Sequence, residues 1–277
     1  MLDQFCEKFC LGLVGERITS GFDTLAGVII LIAAGVTTFS HAAPFPFLLD
    51  LANDEVSIWR IPHRGQKTIY LTFDDGPNPK VTPPLLDLLR QKGIRATFFL
   101  IDEHLSEATA PIVARMFEEG HAVAQHSSNR WMLLRSPEAL SAELRAAADR
   151  MQLLTGHRPC RLFRPHAGWR SVKMIRGLRQ SGYKLVGWSW MTWDWISFRK
   201  RTGLRVAAHL IPHAAPGKII IIHDGHHRDP SADRQYAVEA TARVVDSLLA
   251  QQYEFRTLCN VLDDSWTSYA ASPQRKA

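Results

Sequence analysis

The feature that most constrains the fold is an alternation of short apolar runs with longer segments that carry helix signals. It begins at Lys67 and continues to Leu258. The run Ile219–Ile222 is β-branched and apolar on both faces, which is typical of a buried parallel strand. Strands that alternate with helices predict one parallel α/β domain, either a closed barrel or an open sheet. The seven strand-like runs are Thr68–Phe73, Ala96–Leu100, His121–Gln125, Arg161–Phe163, Lys184–Trp190, Lys218–Ile222 and Glu254–Leu258.

The segments between these runs begin and end with residues that favour helix termini. Thr82 is predicted to cap a helix whose first position is a proline, and Gly93 is predicted to end that helix. Two further helices are expected between Ser136 and Gly156 and between Ser171 and Gly182.

Polar side chains follow four of the strand-like runs at their carboxyl ends, and this placement favours a barrel over an open sheet. They are Asp74, Asp75, His126, Arg164 and His223. The carboxyl ends of barrel strands meet on one face, so these five residues are expected to share one pocket, whereas an open sheet would spread them. The same geometry places Cys160 and Cys259 at opposite ends of the barrel, which predicts that they do not form a disulfide.

Charge and composition exclude several classes of protein. The 277 residues include 33 basic and 27 acidic side chains, and we interpret the net charge of +6 as spread along the chain. Such an excess argues against a nucleic-acid partner and favours a weak attraction to anionic surfaces. The hydrophobic fraction of 46% is that of a globular chain.

The N-terminal part carries an export or membrane signal. Residues 24–49 contain no Asp, Glu, Lys or Arg, and their core Leu25–Val36 is strongly apolar. The small residues Ser40, Ala42 and Ala43 follow. This pattern predicts a cleaved signal peptide or an uncleaved anchor, with membrane association through residues 24–43, and a buried helix is the remaining reading. Either of the first two places the rest of the chain outside the cytoplasm. The predicted divisions are 1–49 signal or anchor, 50–66 linker, 67–262 main α/β domain and 263–277 tail.

The adjacent carboxylates Asp74 and Asp75 are the sharpest chemical signal. Two neighbouring acids at the end of a buried strand repel each other unless a cation or a shared proton relieves them. Neighbouring side chains point in different directions, so one can bind a metal while the other acts as a base. The alternative is a plain loop that ends a strand.

The segment Thr72–Pro77, with Asn78-Pro79 and the run Ala96–Leu100 after it, resembles the polysaccharide deacetylase family (the NodB homology domain, carbohydrate esterase family 4). The resemblance covers roughly Thr68 to Leu258. It implies a distorted (β/α)7-type barrel and a hydrolase that uses a divalent metal, with zinc expected. The implied substrates are N- or O-acylated amino-sugar polysaccharides or glycoconjugates.

Positions that match the family motifs take the following implied roles. Asp74 matches the general base and His223 the general acid, while Arg164 orients the base and Asp194 pairs with His223. Asp75 and His126 match metal ligands. A backbone N–H near Ala167 would bind the oxyanion. Trp195 and Trp169 are expected to bind the sugar, because indole rings stack on its apolar face.

Arg130 departs from the family pattern, because it stands where the second metal-binding histidine belongs. Its guanidinium stays protonated and cannot bind a metal. Three accounts stay open. In the first, the missing ligand comes from His166, our first candidate, or from His226 or His227. In the second, Arg130 pairs with Asp75 and replaces the metal. In the third, the site is catalytically silent and binds carbohydrate only. A further alternative is a deformylase or deacetylase of a lipid-linked sugar.

Overall fold

The computed structural model describes residues 27–29, 31, 56–63, 65–191 and 202–259, with only the backbone of Arg130 and Met191. The chain divides into two compact units, Met1–Ser40 and His41–Ala277. The described residues of the first unit, 27–29 and 31, are helical. Within the described ranges, no helix combines the length and apolarity needed to cross a bilayer. The predicted signal or anchor lies almost wholly outside these ranges and stays a prediction.

The described part of the second unit contains one sheet and six α-helices. The strands are β1 Ser57–Ile58, β2 Thr68–Gly76, β3 Thr97–Ile101, β4 Ala122–His126, β5 Leu162–Arg164, β6 Lys184–Val186, β7 Trp190–Met191, β8 Ile219–His223 and β9 Glu254–Phe255. The helices are α1 Thr82–Gln91, α2 Ala110–Glu118, α3 Pro137–Thr155, α4 Val172–Ser181, α5 Gly203–Leu210 and α6 Tyr236–Ala250.

The sheet is parallel and curls toward closure. Its order is β1-β6-β5-β4-β3-β2-β8-β7, with β9 paired to the start of β2. The segment after β1 meets the segment before β8. There Ile61 N–H donates to the Gly217 carbonyl over 2.8 Å, and the backbones of Arg60 and Lys218 form an isolated antiparallel β-bridge. The expected α/β barrel is therefore confirmed as a distorted, incompletely paired barrel.

The predicted helix ends are mostly confirmed. The side chains of Ser136 and Ser171 accept hydrogen bonds from the N–H groups of residues three positions later, as N-caps do. Gly156 and Gly182 end their helices with φ of 76° and 70°. The prediction for Thr82 was wrong, because its hydroxyl donates to the buried Asp224 carboxylate instead of capping α1.

The run Lys184–Trp190 forms two strands rather than the one expected. It is interrupted at Gly187, where an added Cβ would lie 1.7 Å from the Trp59 ring. Trp59 follows β1, which lies inside the segment interpreted as a linker. Strand β1 pairs with β6. The first part of the run therefore pairs with β1 and β5, and the second part pairs with β8.

The prediction that Cys160 and Cys259 stay unpaired was wrong, since they form a disulfide with Cα atoms 6.1 Å apart. The error lies in the position of Cys259. The last predicted strand is only two residues long, and its register places it beside Thr68 and Ile69 at the start of β2. Leu258 N–H then donates to the hydroxyl of Thr97, the first residue of β3. Both cysteines therefore lie at the amino ends of the strands.

Candidate active site

The five polar residues expected to share a pocket lie together at the carboxyl ends of four strands. Asp74 on β2 is directly opposite His223, the last residue of β8. His126 ends β4 and is opposite Arg164, the last residue of β5. The barrel therefore assembles one site from segments separated by up to 149 positions.

Arg164 binds Asp74 inside the protein. Its Nη1 donates to Asp74 Oδ1 over 2.5 Å and to the Thr72 hydroxyl over 2.8 Å. Its Nη2 donates to the Gly187 carbonyl over 2.8 Å, and both ionic side chains are almost fully buried. A planar guanidinium can satisfy several acceptors in fixed directions, so Arg164 sets the orientation of the Asp74 carboxylate.

The charges around Asp74 keep it ionised. Burial alone would raise its pKa, but Arg164, His126 and His223 together outweigh burial and lower the pKa to about 2. His126 Nε2 lies 3.3 Å from Asp74 Oδ2. The pKa of His126 responds in the opposite sense: burial lowers it, but the two neighbouring carboxylates raise it above its ordinary value.

Asp75 has an unusual backbone conformation that directs its side chain away from Asp74. Its φ is 69°, and the β2–β3 register shifts between Asp74 and Gly76. Gly225 packs so closely here that an added Cβ would lie 1.9 Å from the Asp75 carbonyl oxygen. As a result Asp75 Oδ1 lies 3.8 Å from His126 Nδ1, so His126 has a carboxylate near each ring nitrogen.

Further histidines complete the wall of the cleft. The rings of His166 and His227 lie 4.9 Å apart, and those of His226 and His227 lie 4.6 Å apart. His166 also meets His126 edge-on at 6.3 Å. The cleft, about 90 Å³ in volume, is lined by Asp74, Asp75, His126, His166, Ala167, Trp188, Ile221, His223, His226, His227 and Arg234.

The pKa values of the additional histidines are lowered, which favours their neutral forms. Burial and the positive field of His126 lower the pKa of His166 to about 4, although Asp75 opposes the shift. Burial likewise lowers the pKa of His226 and of His227. A neutral imidazole has a lone pair available for a metal or a proton.

The donor set of the cleft fits a divalent transition metal in type. Asp75 supplies a carboxylate, and His126 with His166, His226 and His227 supplies imidazoles, which zinc and cobalt bind readily. In the described ranges no three His, Cys, Asp or Glu side chains already converge as a metal-binding group. The side chain of Arg130 is outside the described residues, so its pairing with Asp75 stays untested.

Some predicted residues lie elsewhere. Asp194 and Trp195 fall outside the described residues, and Trp169 is half-buried but does not line the cleft. Sequence reasoning missed Arg234 and Trp188, two buried residues that line the cleft. Arg234 follows no strand, so the strand-end pattern could not identify it.

Three comparisons with known proteins place these features in context. The polysaccharide deacetylase family model matches residues 62–186. A peptidoglycan-N-acetylglucosamine deacetylase of Bacillus cereus is 31% identical over 207 residues, which is 74% of this chain and 92% of that protein. A chitooligosaccharide deacetylase of Bradyrhizobium sp. is 32% identical over 189 residues, covering 65% and 79% of the two chains.

A solved structure has the same architecture. It is a family 4 acetyl xylan esterase from Clostridium thermocellum in complex with a cobalt ion. The TM-score is 0.61 and the identity 29%, over 71% of this chain and 91% of the other.

Proposed function

Because the chain belongs to the polysaccharide deacetylase family of hydrolases, we propose that it removes N-acetyl groups from amino sugars of a peptidoglycan- or chitin-like glycan. The observation that carries this proposal is the buried Arg164–Asp74 pair, whose aspartate lines one cleft beside His223. Relatives named as deacetylases of peptidoglycan N-acetylglucosamine and of chitooligosaccharides support this substrate class.

Asp74 is the proposed general base. Arg164 fixes the carboxylate and keeps it ionised, so it can accept the proton of the attacking water. A carboxylate whose pKa is about 2 is a weak base, so the water itself must be made more acidic. A divalent ion, when bound, would supply that acidity and would polarise the acyl oxygen.

We propose zinc as the ion, with Asp75, His126 and His166 as its ligands. His166 takes the place of the histidine that Arg130 replaces. Ser127, next to His126, supports this assignment, because its hydroxyl accepts a hydrogen bond from the His166 N–H over 2.6 Å. This contact attaches the His166 loop to the residue that follows β4.

His223, the register partner of Asp74 on the adjacent strand, is the proposed general acid, which protonates the departing amine. Asp194 is its proposed partner, and Trp195 and Trp169 are the proposed sugar-stacking residues. The backbone of Ala167, whose φ is 50°, lies in the cleft wall where an N–H could bind the oxyanion.

Export from the cytoplasm is also proposed. The disulfide between Cys160 and Cys259 supports it, because such bonds persist mainly in oxidising compartments. The apolar N-terminal segment agrees with this location.

The test is acetate release from N-acetylated chitooligosaccharides and from peptidoglycan, with zinc supplied. Asp74→Asn and His223→Ala are each expected to lower kcat by a factor of about 100 or more. The matched controls Asp87→Asn and His209→Ala, at exposed positions, are expected to retain wild-type kcat. Normal turnover of either cleft variant would overturn the assigned roles. Absence of acetate from the wild-type protein would favour the silent, carbohydrate-binding alternative.

A further inference from the structure

The positive charge of this protein is concentrated in one segment. Residues 157–191 contain eight arginines and lysines and no aspartate or glutamate. This segment therefore carries +8, while the whole chain carries +6 and the remaining 242 residues together are slightly acidic. The expectation that the excess is spread along the chain was wrong.

Part of this charge forms an exposed face on helix α4. Lys173, Arg176 and Arg179 recur at intervals of three residues and are exposed, while Met174 and Leu178 on the opposite side are buried. At 100° per residue, the three cations span about 120° of the helix surface. We call Lys173, Arg176 and Arg179 the cationic face.

Most of the acidic charge of the neighbouring helix is paired outside this face. Helix α3 packs against α4, and an added Cβ on Gly177 would lie 2.9 Å from the Pro137 carbonyl oxygen. Two of the three acids of α3 are engaged by other arginines. Glu143 lies 3.3 Å from Arg135, and Asp149 lies 2.7 Å from Arg158.

Large apolar side chains are exposed beside the start of the cationic face. Trp131 and Leu134 are each 63% exposed, and Val172 is 78% exposed. The short helical turn at 130–134 is attached to α4, because the hydroxyl of Ser171, the α4 N-cap, donates to the Leu133 carbonyl. We call Trp131, Leu134 and Val172 the apolar edge.

We propose that the cationic face and the apolar edge together dock on the surface of an anionic phospholipid bilayer. Anionic headgroups attract lysine and arginine, and tryptophan with aliphatic side chains partitions into the boundary beneath them. A soluble anionic polymer would engage the cations but would leave the apolar edge in water. The bilayer therefore accounts for both observations, and docking does not depend on the hydrolytic role of the cleft.

The experiment measures binding of the full chain to vesicles of phosphatidylcholine, with and without phosphatidylglycerol. The ratio of the two partition coefficients removes the contribution of the apolar N-terminal segment, which both kinds of vesicle share. The wild-type protein is expected to prefer the anionic vesicles. The variant Lys173→Gln/Arg176→Gln/Arg179→Gln is expected to lose about a hundredfold of this preference, roughly fivefold for each cation. Added salt is expected to weaken the preference of the wild-type protein.

The control is Arg90→Gln/Arg243→Gln/Arg256→Gln, which removes the same total charge from exposed positions elsewhere. It is expected to retain the preference for anionic vesicles, and both triple variants are expected to deacetylate soluble chitooligosaccharides like the wild type. Equal losses in the two triple variants would show that net charge alone acts and would overturn the proposal. Binding to soluble poly(glycerol phosphate) without any preference for anionic vesicles would also overturn it, in favour of an anionic polymer.

Discussion

Arg164 is a residue whose role follows from its surroundings. Its guanidinium contacts an aspartate, a threonine hydroxyl and two backbone carbonyls, and it lies 3.8 Å above the ring of Phe99. These partners come from different strands, so one side chain connects the base to the barrel interior. A lysine could not reproduce this set, since its point charge lacks the planar arrangement of donors.

His166 is predicted to matter more for metal binding than His227. Its backbone is attached to Ser127 and its ring meets His126, whereas His227 lies in the loop after β8. We expect His166→Ala to weaken zinc affinity by at least about tenfold, and His227→Ala by less. Titration calorimetry with zinc measures this, with His209→Ala as the control at an exposed position. The reverse order would assign the missing ligand to the β8 loop.

His121, which directly precedes β4 at the end of the barrel opposite the cleft, is predicted to limit stability in acid. Burial lowers its pKa to about 4, and the nearby Glu119 does not compensate. In the unfolded chain histidine gains a proton below about pH 6.5. Between these values only the unfolded chain binds the proton, so stability falls with falling pH, by roughly 3 kcal/mol.

The variant His121→Asn tests this prediction. The asparagine oxygen can still accept the hydrogen bond that Ala96 N–H donates to His121 Nδ1 over 3.1 Å. In urea unfolding, the wild type is expected to lose more free energy of unfolding than this variant when the pH is lowered from 7 to 4. The exposed control His157→Asn is expected to show no such shift. A constant difference for His121→Asn would contradict the prediction.

At the scale of secondary structure, the close contact of Gly187 with Trp59 explains why one apolar run forms two strands. Gly187→Ala would place a methyl group inside the Trp59 ring. We therefore expect the free energy of unfolding to fall by about 3 kcal/mol or more, at or above the usual range for overpacking. Gly156→Ala is the comparison. There the methyl group meets no atom within 4 Å, and only the positive φ costs about 1 kcal/mol.

Thermal and urea unfolding measure both losses. The substitution Gly187→Ala is expected to cost less unfolding free energy in a Trp59→Leu background than in the wild type. The reason is that the smaller leucine side chain relieves the clash. Equal losses for Gly187→Ala and Gly156→Ala would show that the contact with the ring is unimportant.

Strands whose ends are marked by a local change in the sequence were predictable. The ends of β2, β4, β5 and β8 could be located because an apolar run stops at a charged or imidazole side chain, and a parallel barrel brings such ends together. The short strands β1 and β9 could not, because two-residue strands carry no periodic pattern and their register depends on distant partners. The failed prediction for Cys160 and Cys259 follows from that missing register.

At the scale of the whole molecule, the disulfide joins positions 99 residues apart and encloses β5 through β9. A long closed loop restricts the unfolded chain, so Cys160→Ser/Cys259→Ser is expected to lower the free energy of unfolding by about 2–4 kcal/mol. Urea unfolding of the variant, beside the wild type with and without reductant, measures this. Deacetylase activity below the unfolding transition is expected to stay unchanged, because both cysteines lie at the end of the barrel opposite the cleft. A loss of activity without a loss of stability would contradict this.

Strand β2 has a consequence for how the protein loses activity. All nine of its residues are buried, and it pairs with β3, β8 and β9. Amide protons in such a strand exchange with deuterium only when the entire domain opens. The backbone beneath the two carboxylates should therefore be among the slowest-exchanging parts of the chain, and heat inactivation should follow global unfolding rather than local fraying around the catalytic groups.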